Sequence, residues 1–242
     1  MRTTAPKTRA SVYTCVTGQN DALVANAAQL YIQNGDRILD LTYGRGVFWK
    51  KADRTRFDLV TNDLVTPADF HYDFRKLGFD DASFDHTVFD PPYVHDGNTF
   101  LLHRQYNNDV TTGNLNYAGI MQMYEAGLRE CIRVTKVGGQ IWVKGQDQVE
   151  NHTQRWSHFH LELVGRMLGL SLQDHFILFN DREVPVRHHS QKHARRNHSF
   201  LLIFKRKQVR DKITDELMLR CAAAIQGESA KASPSQDAPV EY

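Results

Sequence analysis

Four consecutive residues, Asp90-Pro91-Pro92-Tyr93, carry the most chemical content in the chain. An exocyclic amino group on an aromatic base is a poor nucleophile, because its lone pair is delocalised into the ring. To attack a sulfonium methyl it must pyramidalise and take on positive charge. A carboxylate at Asp90 and the carbonyl of Pro91 can accept its two hydrogens, favouring that geometry and stabilising the charge as it develops. Consecutive prolines stiffen the acceptor array, since proline fixes φ and restricts its predecessor. Tyr93 adds a flat face on which an extruded base can stack, worth roughly 1–3 kcal/mol. Taken alone, the same four residues are equally a rigid turn leaving a strand.

A second constellation lies upstream. Ile38-Leu39-Asp40-Leu41 reads as a buried parallel strand that empties into Thr42-Tyr43-Gly44-Arg45-Gly46-Val47-Phe48-Trp49. A strand running into a Gly-x-Gly loop suggests a nucleotide-like ligand, with the glycines permitting a tight turn and close backbone approach. A dinucleotide fingerprint would place a third glycine where Trp49 stands, which counts against NAD. Asp63 follows Gly44 by 19 residues, the distance expected of a carboxylate that accepts from two ribose hydroxyls. Asp73, near the end of a short third strand, is placed to accept from an adenine amino group. The alternative is an ordinary turn at Gly44 and Gly46, with Asp63 capping a helix or lying in solvated loop.

These residues need a scaffold that brings two strand ends together. Short β-rich runs at Arg37–Thr42, Asp58–Asn62, Asp85–Phe89, Gln140–Lys144, His175–Phe179 and Ser199–Lys205 alternate with helical patterns, which signals an α/β sheet. Ile120, Tyr124, Leu128, Cys131 and Ile132 fall at helical spacing within Tyr117–Lys136, and Gly138-Gly139 is expected to stop that helix. A second helix is predicted over Trp156–Leu168. No long helix separates the last two strands, which predicts an antiparallel pair. In a doubly wound sheet the crevice lies at the carboxyl ends of the strands, so the glycine loop and the tetrapeptide would face each other.

With 242 residues, 41% of them hydrophobic, the chain can build one sizeable core without a second domain. The boundaries expected are a disordered 1–11, a domain over 12–225 with recognition inserts near 94–116 and 180–198, and a disordered tail over 226–242. Three scattered cysteines without a CxxC pair fit a reducing cytoplasm. No signal-peptide or membrane-spanning stretch is read, so no membrane partner is expected.

Taken together, Asp-Leu-Thr-Tyr-Gly-Arg-Gly followed by Asp-Pro-Pro-Tyr resembles the amino-group DNA methyltransferase family, which makes N6-methyladenine or N4-methylcytosine. The resemblance spans roughly residues 15–206. It implies a Rossmann-like class I methyltransferase fold, a seven-stranded, mostly parallel sheet with an antiparallel last strand and helices on both faces. It implies S-adenosylmethionine as cofactor, held by Thr17-Gly18-Gln19-Asn20 at the methionine end and by Asp40, Thr42, Gly44, Gly46, Asp63 and Asp73, with Asp90, Pro91, Pro92 and Tyr93 as catalytic residues. His198 to Phe204 is similar to the family's final strand. One departure is visible: Thr42 stands where the common Phe-x-Gly-x-Gly form has phenylalanine.

The implied partner is double-stranded DNA with its target base flipped out, with RNA a further candidate and a homodimer compatible with the short inserts. The formal net charge of +2 says little by itself. Between Arg187 and Arg210, however, there are eight Lys or Arg residues and no Asp or Glu, which reads as phosphate contact through Arg187, Lys192, Arg195 and Arg196, or else as a solvated loop and edge strand. His103 and Arg104 lie in the polar loop after Tyr93, which is read as touching the target or its neighbours, or equally as a flexible lid. The histidines near 188–198 lack cysteine or carboxylate neighbours, so no metal is expected. Adenine N6 is the favoured target, within a restriction-modification setting. Cytosine N4, an RNA or tRNA guanine N2, and a non-catalytic nucleic-acid-binding protein of the same fold are the alternatives.

Overall fold

A computed structural model describes residues 11–93, 116–180, 192–194 and 196–208. Most of both expected inserts, and the tail over 226–242, lie outside the described residues. Within them the chain runs β1 (Cys15–Thr17), α1 (Asn20–Tyr31), β2 (Arg37–Asp40), β3 (Asp58–Thr61), β4 (Phe84–Phe89), α2 (Tyr117–Val134), β5 (Thr135–Gly145), β6 (Gln148–Glu150), β7 (Thr153–Arg155), α3 (Ser157–Met167), β8 (Leu170–Phe179) and β9 (His198–Arg206). Seven strands form one sheet in the order β1-β8-β9-β5-β4-β2-β3. β9 is antiparallel to both its neighbours, β5 and β8, while every other pairing is parallel. Six strands therefore point one way and the last runs against them, as the sequence predicted.

The side chains explain why the sheet is covered twice. Along β9, Phe200, Leu202 and Phe204 join one core with α2 and α3, while Leu201 and Ile203 join a second core with α1. In β5, Ile141 and Val143 face the first core and Trp142 the second. This period-two alternation, apolar on both faces, is what a sheet buried between helical layers requires. α2 presents Ile120, Tyr124, Leu128 and Cys131 to the sheet, at the spacing that predicted it. Its start is capped by Asn116, whose Oδ1 accepts from the Gly119 N–H at 2.9 Å.

Three details differ from the expectation. Gly138-Gly139 does not stop the helix: α2 ends at Val134 and the pair lies inside β5, where the β4–β5 register shifts. The third strand expected near Asp73 is reduced to one bridge, Asn62 to Phe70. Its place in the count of seven is taken by β1, at the other edge. Asn62 replaces a strand with its side chain: the buried amide donates to the carbonyls of Leu41 and Tyr72 at 3.0 Å each and accepts from the Tyr72 N–H at 2.8 Å. The β6–β7 hairpin, turning at Asn151 and His152 with φ of 48° and 62°, is too short to leave a periodic signal.

β2 pairs with β3 on one side and β4 on the other, so the topological switch point lies between β2 and β4. Asp40 ends β2 and Asp90 follows β4, one on each side of the crevice where open α/β sheets bind ligands.

Candidate active site

The loop after β2 is built on carboxylates. Asp40 is buried, and its oxygens accept from the Thr42 N–H at 3.1 Å and the Trp49 indole N–H at 2.7 Å. Trp49, which stands where a third glycine would be, is itself buried, its ring 5.5 Å from that of Phe57. Only two short 3-10 turns, Val47–Trp49 and Arg54–Arg56, lie between the loop and β3. The long helix N-terminus that would receive a pyrophosphate is therefore missing here. Gly44 and Gly46 have φ of 56° and 66°. At Gly46 a β-carbon would lie 2.5 Å from the Tyr43 hydroxyl. The loop's own tyrosine thus fills the space that the glycine spacing suggested for a ligand.

Asp63 is equally engaged. One oxygen accepts from the Gly44 N–H at 2.9 Å, and the other from Val65 and Thr66 at 3.0 and 2.7 Å. Three of a carboxylate's roughly four acceptor sites are occupied. Asp63 therefore ties the two loops together, and in this conformation cannot accept from both hydroxyls of a ribose. Asp73 is likewise committed: Arg75 binds it in a two-pronged contact of 2.6 to 3.1 Å, which holds its carboxyl below the usual range. It is not turned toward an incoming amino group.

Asp90 is placed from two directions. Phe89 packs on α2 at Gly127, where a β-carbon would lie 2.2 Å from the ring, so only glycine lets the strand end sit this close. Phe89 also meets Tyr124 and Phe74 at ring distances of 5.7 and 5.1 Å. From the other side, Thr42 Oγ1 accepts from the Asp90 N–H at 2.8 Å. The threonine that departs from the expected phenylalanine thus joins the glycine loop to the tetrapeptide, which phenylalanine could not do. Its visible contact is with Asp90 and not with space for a cofactor.

The Asp90 carboxyl differs from its neighbours. Oδ1 is enclosed and has no hydrogen-bond partner among the described residues, although the residue as a whole is only half-buried. Burial pushes the acid up to about 6, against the pull of Lys144. Asp40 is pushed up to about 7, first by burial and then by the charges of Asp90 and Asp63. Asp90 and Asp63 thus oppose the ionisation of Asp40. Pro91 is buried and Tyr93 half-buried, with the Lys144 ammonium 5.8 Å from the centre of the tyrosine ring.

Thr17, Gly18 and Gln19 are exposed at the carboxyl end of β1, where the Gly18 N–H donates to the Phe179 carbonyl at 3.2 Å. The next residue, Asn20, opens α1 with a buried Oδ1 that has no partner. α1 packs on the Val47–Trp49 turn that follows the glycine loop.

The sequence profile of a DNA methylase family, that of the N6 and N4 methyltransferases, matches residues 84–238, well over half of the chain and including the tetrapeptide. The chain belongs to this DNA methylase family. No curated protein matches it. Among solved structures, it is similar to a candidate DNA modification methylase from Thermus thermophilus, at 18% identity over 57% of this chain and 52% of that one, with a TM-score of 0.40. The chain thus spans about half of that relative's length. It is also similar to a SAM-dependent methyltransferase from Methanosarcina mazei, at 12% identity over 75% and 97% of the two chains and a TM-score of 0.45. A third is TrmN, also from Thermus thermophilus, at 15% identity over 77% and 48% and a TM-score of 0.47.

In this DNA methylase family member the basic stretch divides into two. Lys192 and Arg196 precede β9 at the carboxyl edge of the parallel strands, with Lys192 exposed and Arg196 donating to Gln154 of β7. Lys205 and Arg206 end β9, roughly 25 Å away for a strand of this length. They cannot serve the same phosphates, because β9 runs opposite to its neighbours. Arg187, Arg195, His103 and Arg104 lie outside the described residues. Sequence reasoning missed the hairpin's part: Gln148 donates to the Tyr93 carbonyl, and Glu150 accepts from the Tyr117 N–H at 2.6 Å. The β6–β7 hairpin so holds the chain on both sides of 94–115. Lys144, the last residue of the expected run Gln140–Lys144, is 1% exposed. A lysine ending an apolar Ile141-Trp142-Val143 run was the available signal.

Proposed function

We propose that the chain is an S-adenosylmethionine-dependent DNA methyltransferase that methylates the exocyclic amino group of an extruded base, adenine N6 in the first instance. The observation that carries this reading is Asp90 Oδ1, a buried acceptor at the switch point of the sheet with no donor among the described residues. Buried polar atoms are nearly always paired, so an orphan at a ligand crevice awaits a donor from outside the fold. An amino group supplies one.

The donor set fits the cofactor. Asp40, Asp63 and Asp90 make a crevice that would repel a pyrophosphate and favour a sulfonium cation. The orphaned Asn20 Oδ1 can accept from the ammonium of the cofactor's methionine portion. When bound, S-adenosylmethionine supplies an electrophilic methyl group. Asp90 Oδ1 and the Pro91 carbonyl accept the two amino hydrogens and draw the nitrogen toward a tetrahedral geometry. An acid near 6 is largely ionised at neutral pH, yet holds a proton more readily than an ordinary aspartate, which suits it to take the proton the amine gives up. Thr42 keeps Asp90 in register with the loop, and the Tyr93 ring is the flat surface proposed for stacking the base.

The test is nucleoside mass spectrometry after incubating the protein with double-stranded DNA, RNA and methyl-labelled S-adenosylmethionine. Labelled N6-methyladenine in DNA is expected. N4-methylcytosine would move the target, label in RNA alone would move the polymer, and no label in either would overturn the reading. Asp90→Ala is expected to abolish transfer while leaving cofactor binding by calorimetry intact.

A further inference from the structure

Lys144 is a charged residue in the centre of the sheet that neither the glycine loop nor the tetrapeptide accounts for. It ends the run Ile141-Trp142-Val143 in β5, pairs in register with Leu201 of β9, and is 1% exposed. A buried ammonium is costly unless paired. Its Nζ donates to Ser199 Oγ at 2.8 Å and lies 5.8 Å from the centre of the Tyr93 ring, within cation–π range. Ser199 is neutral and the ring is weakly attractive, so neither balances a full charge. The balancing charge is Asp90: Phe89 of β4 pairs in parallel register with Val143 of β5, which sets Asp90 and Lys144 at adjoining strand ends, and while burial pushes the Lys144 amine down, Asp90 pulls it back up.

We propose that Lys144 is a positioning residue: its ammonium, pinned by Ser199 beneath the Tyr93 ring, is the counter-charge of the Asp90 carboxylate. The inference rests on the reading of Asp90 as the amine acceptor and deepens it. The pairing resolves a conflict in the site. Asp90 must be ionised to accept amino hydrogens, yet burial favours its protonated form. A cation at the substrate itself would compete with the incoming amine. Held by β5 and β9 instead, the charge reaches Asp90 without occupying Oδ1, which stays free of any hydrogen-bond partner.

The groups facing this pair are few. Asp40 approaches from β2 and carries the acid pushed up to about 7. Tyr124 approaches from α2, where its hydroxyl donates to the Lys144 carbonyl at 2.8 Å and burial keeps it neutral. Among the described residues, Tyr93 and Ser199 also face the pair. Among these side chains Lys144 is the cation.

The sign follows. Removing a nearby positive charge raises an acid's pKa, so without Lys144 the carboxyl of Asp90 should protonate at higher pH. The experiment is a carbon-13 carboxyl NMR titration of aspartate-labelled full-length protein, with the Asp90 resonance assigned by its loss in Asp90→Asn. Wild type and Lys144→Arg are expected to titrate together, while in Lys144→Met the Asp90 midpoint should rise by about one pH unit or more. The acid limb of kcat/KM for labelled DNA should move by the same amount. A folded Lys144→Met whose Asp90 midpoint is unchanged would overturn the proposal, even if its activity fell. Should Lys144→Met not fold, Ser199→Ala retains the charge but unpins it. A smaller upward shift there supports the proposal, and no shift overturns it. The NMR readout needs no turnover, so a protein that methylates nothing fails the functional reading while still testing Lys144.

Discussion

Asp63 and Asp90 are both aspartates that follow strands on the same edge of one sheet, and the fold treats them in opposite ways. Asp63 accepts three backbone N–H bonds, from Gly44, Val65 and Thr66. Asp90 has an enclosed oxygen that accepts none, and an acid strength weakened to about 6. The first carboxylate stabilises loops that would otherwise leave N–H groups unpaired. The second is held in place by groups around it, Thr42 behind and Gly127 beneath, while its own acceptor stays available. Satisfied acids belong to the framework, and an acid kept hungry at some cost to stability marks where a substrate completes the bonding.

Substituting asparagine at each position separates the two roles. Asp90→Asn keeps shape and loses charge and proton affinity. Its kcat in a labelled-methyl assay should fall about 10³-fold, within the range for loss of a general base or a charge-stabilising group. Cofactor affinity should change little. An Asp90→Asn protein that turns over at a tenth of the wild-type rate or better would erase the contrast with Asp63. Asp63→Asn acts on the framework instead. Whichever way the amide turns, its NH₂ meets a backbone N–H, and urea unfolding should show a loss of about 2 kcal/mol. No loss would mean that the three bonds do not hold the loops.

The sequence made some of this contrast legible. Apolar periodicity located β2, β4, β5 and β9 and two of the three described helices, α2 and α3, to within a few residues, because buried strands are continuous runs and α2 carries an unbroken stripe, while α1 was not foreseen. The antiparallel last strand followed from the missing helix between β8 and β9. What stayed hidden were features that depend on one side chain standing in for backbone. Asn62 replaces most of a strand with three hydrogen bonds, and Thr42 turns a motif departure into a tether for Asp90. Spacing also suggested a ribose contact at Asp63 and a base contact at Asp73, but it cannot register that Gly44, Val65, Thr66 and Arg75 already occupy those oxygens. Nor can a linear count of charge register that β9 carries Lys205 and Arg206 to the far edge.

The contrast extends to stability. The folded protein raises the Asp90 acid from its ordinary 3.8 to about 6. A raised carboxyl contributes most below the unfolded value, and that contribution is lost as pH rises through about 6. At pH 8 the wild type therefore buries an unfavourable charge that Asp90→Asn lacks. The variant is expected to be more stable by about 1 kcal/mol at pH 8, with the difference fading toward pH 4. Asp63→Asn should be the less stable protein at both. Parallel urea titrations at the two pH values check the opposite signs, and a destabilised Asp90→Asn at pH 8 would show that Asp90 belongs to the framework after all.

The smallest effect tests why the acids of the crevice are left to oppose one another. At pH 6.5 an acid near 7 at Asp40 is mostly protonated, and one near 6 at Asp90 partly so. A sulfonium cation entering the crevice favours the ionised forms, so both acids should lose proton occupancy on binding. S-adenosylmethionine should release a fraction of a proton, read as the slope of calorimetric binding enthalpy against buffer ionisation enthalpy. S-adenosylhomocysteine has a neutral thioether in the same scaffold and should release less. Above pH 8.5 both acids are already ionised and the difference should vanish. Equal release by the two ligands at pH 6.5 would mean that the crevice reads the shape of the adenosine portion and not the charge on sulfur, leaving the raised acids without a role in cofactor choice.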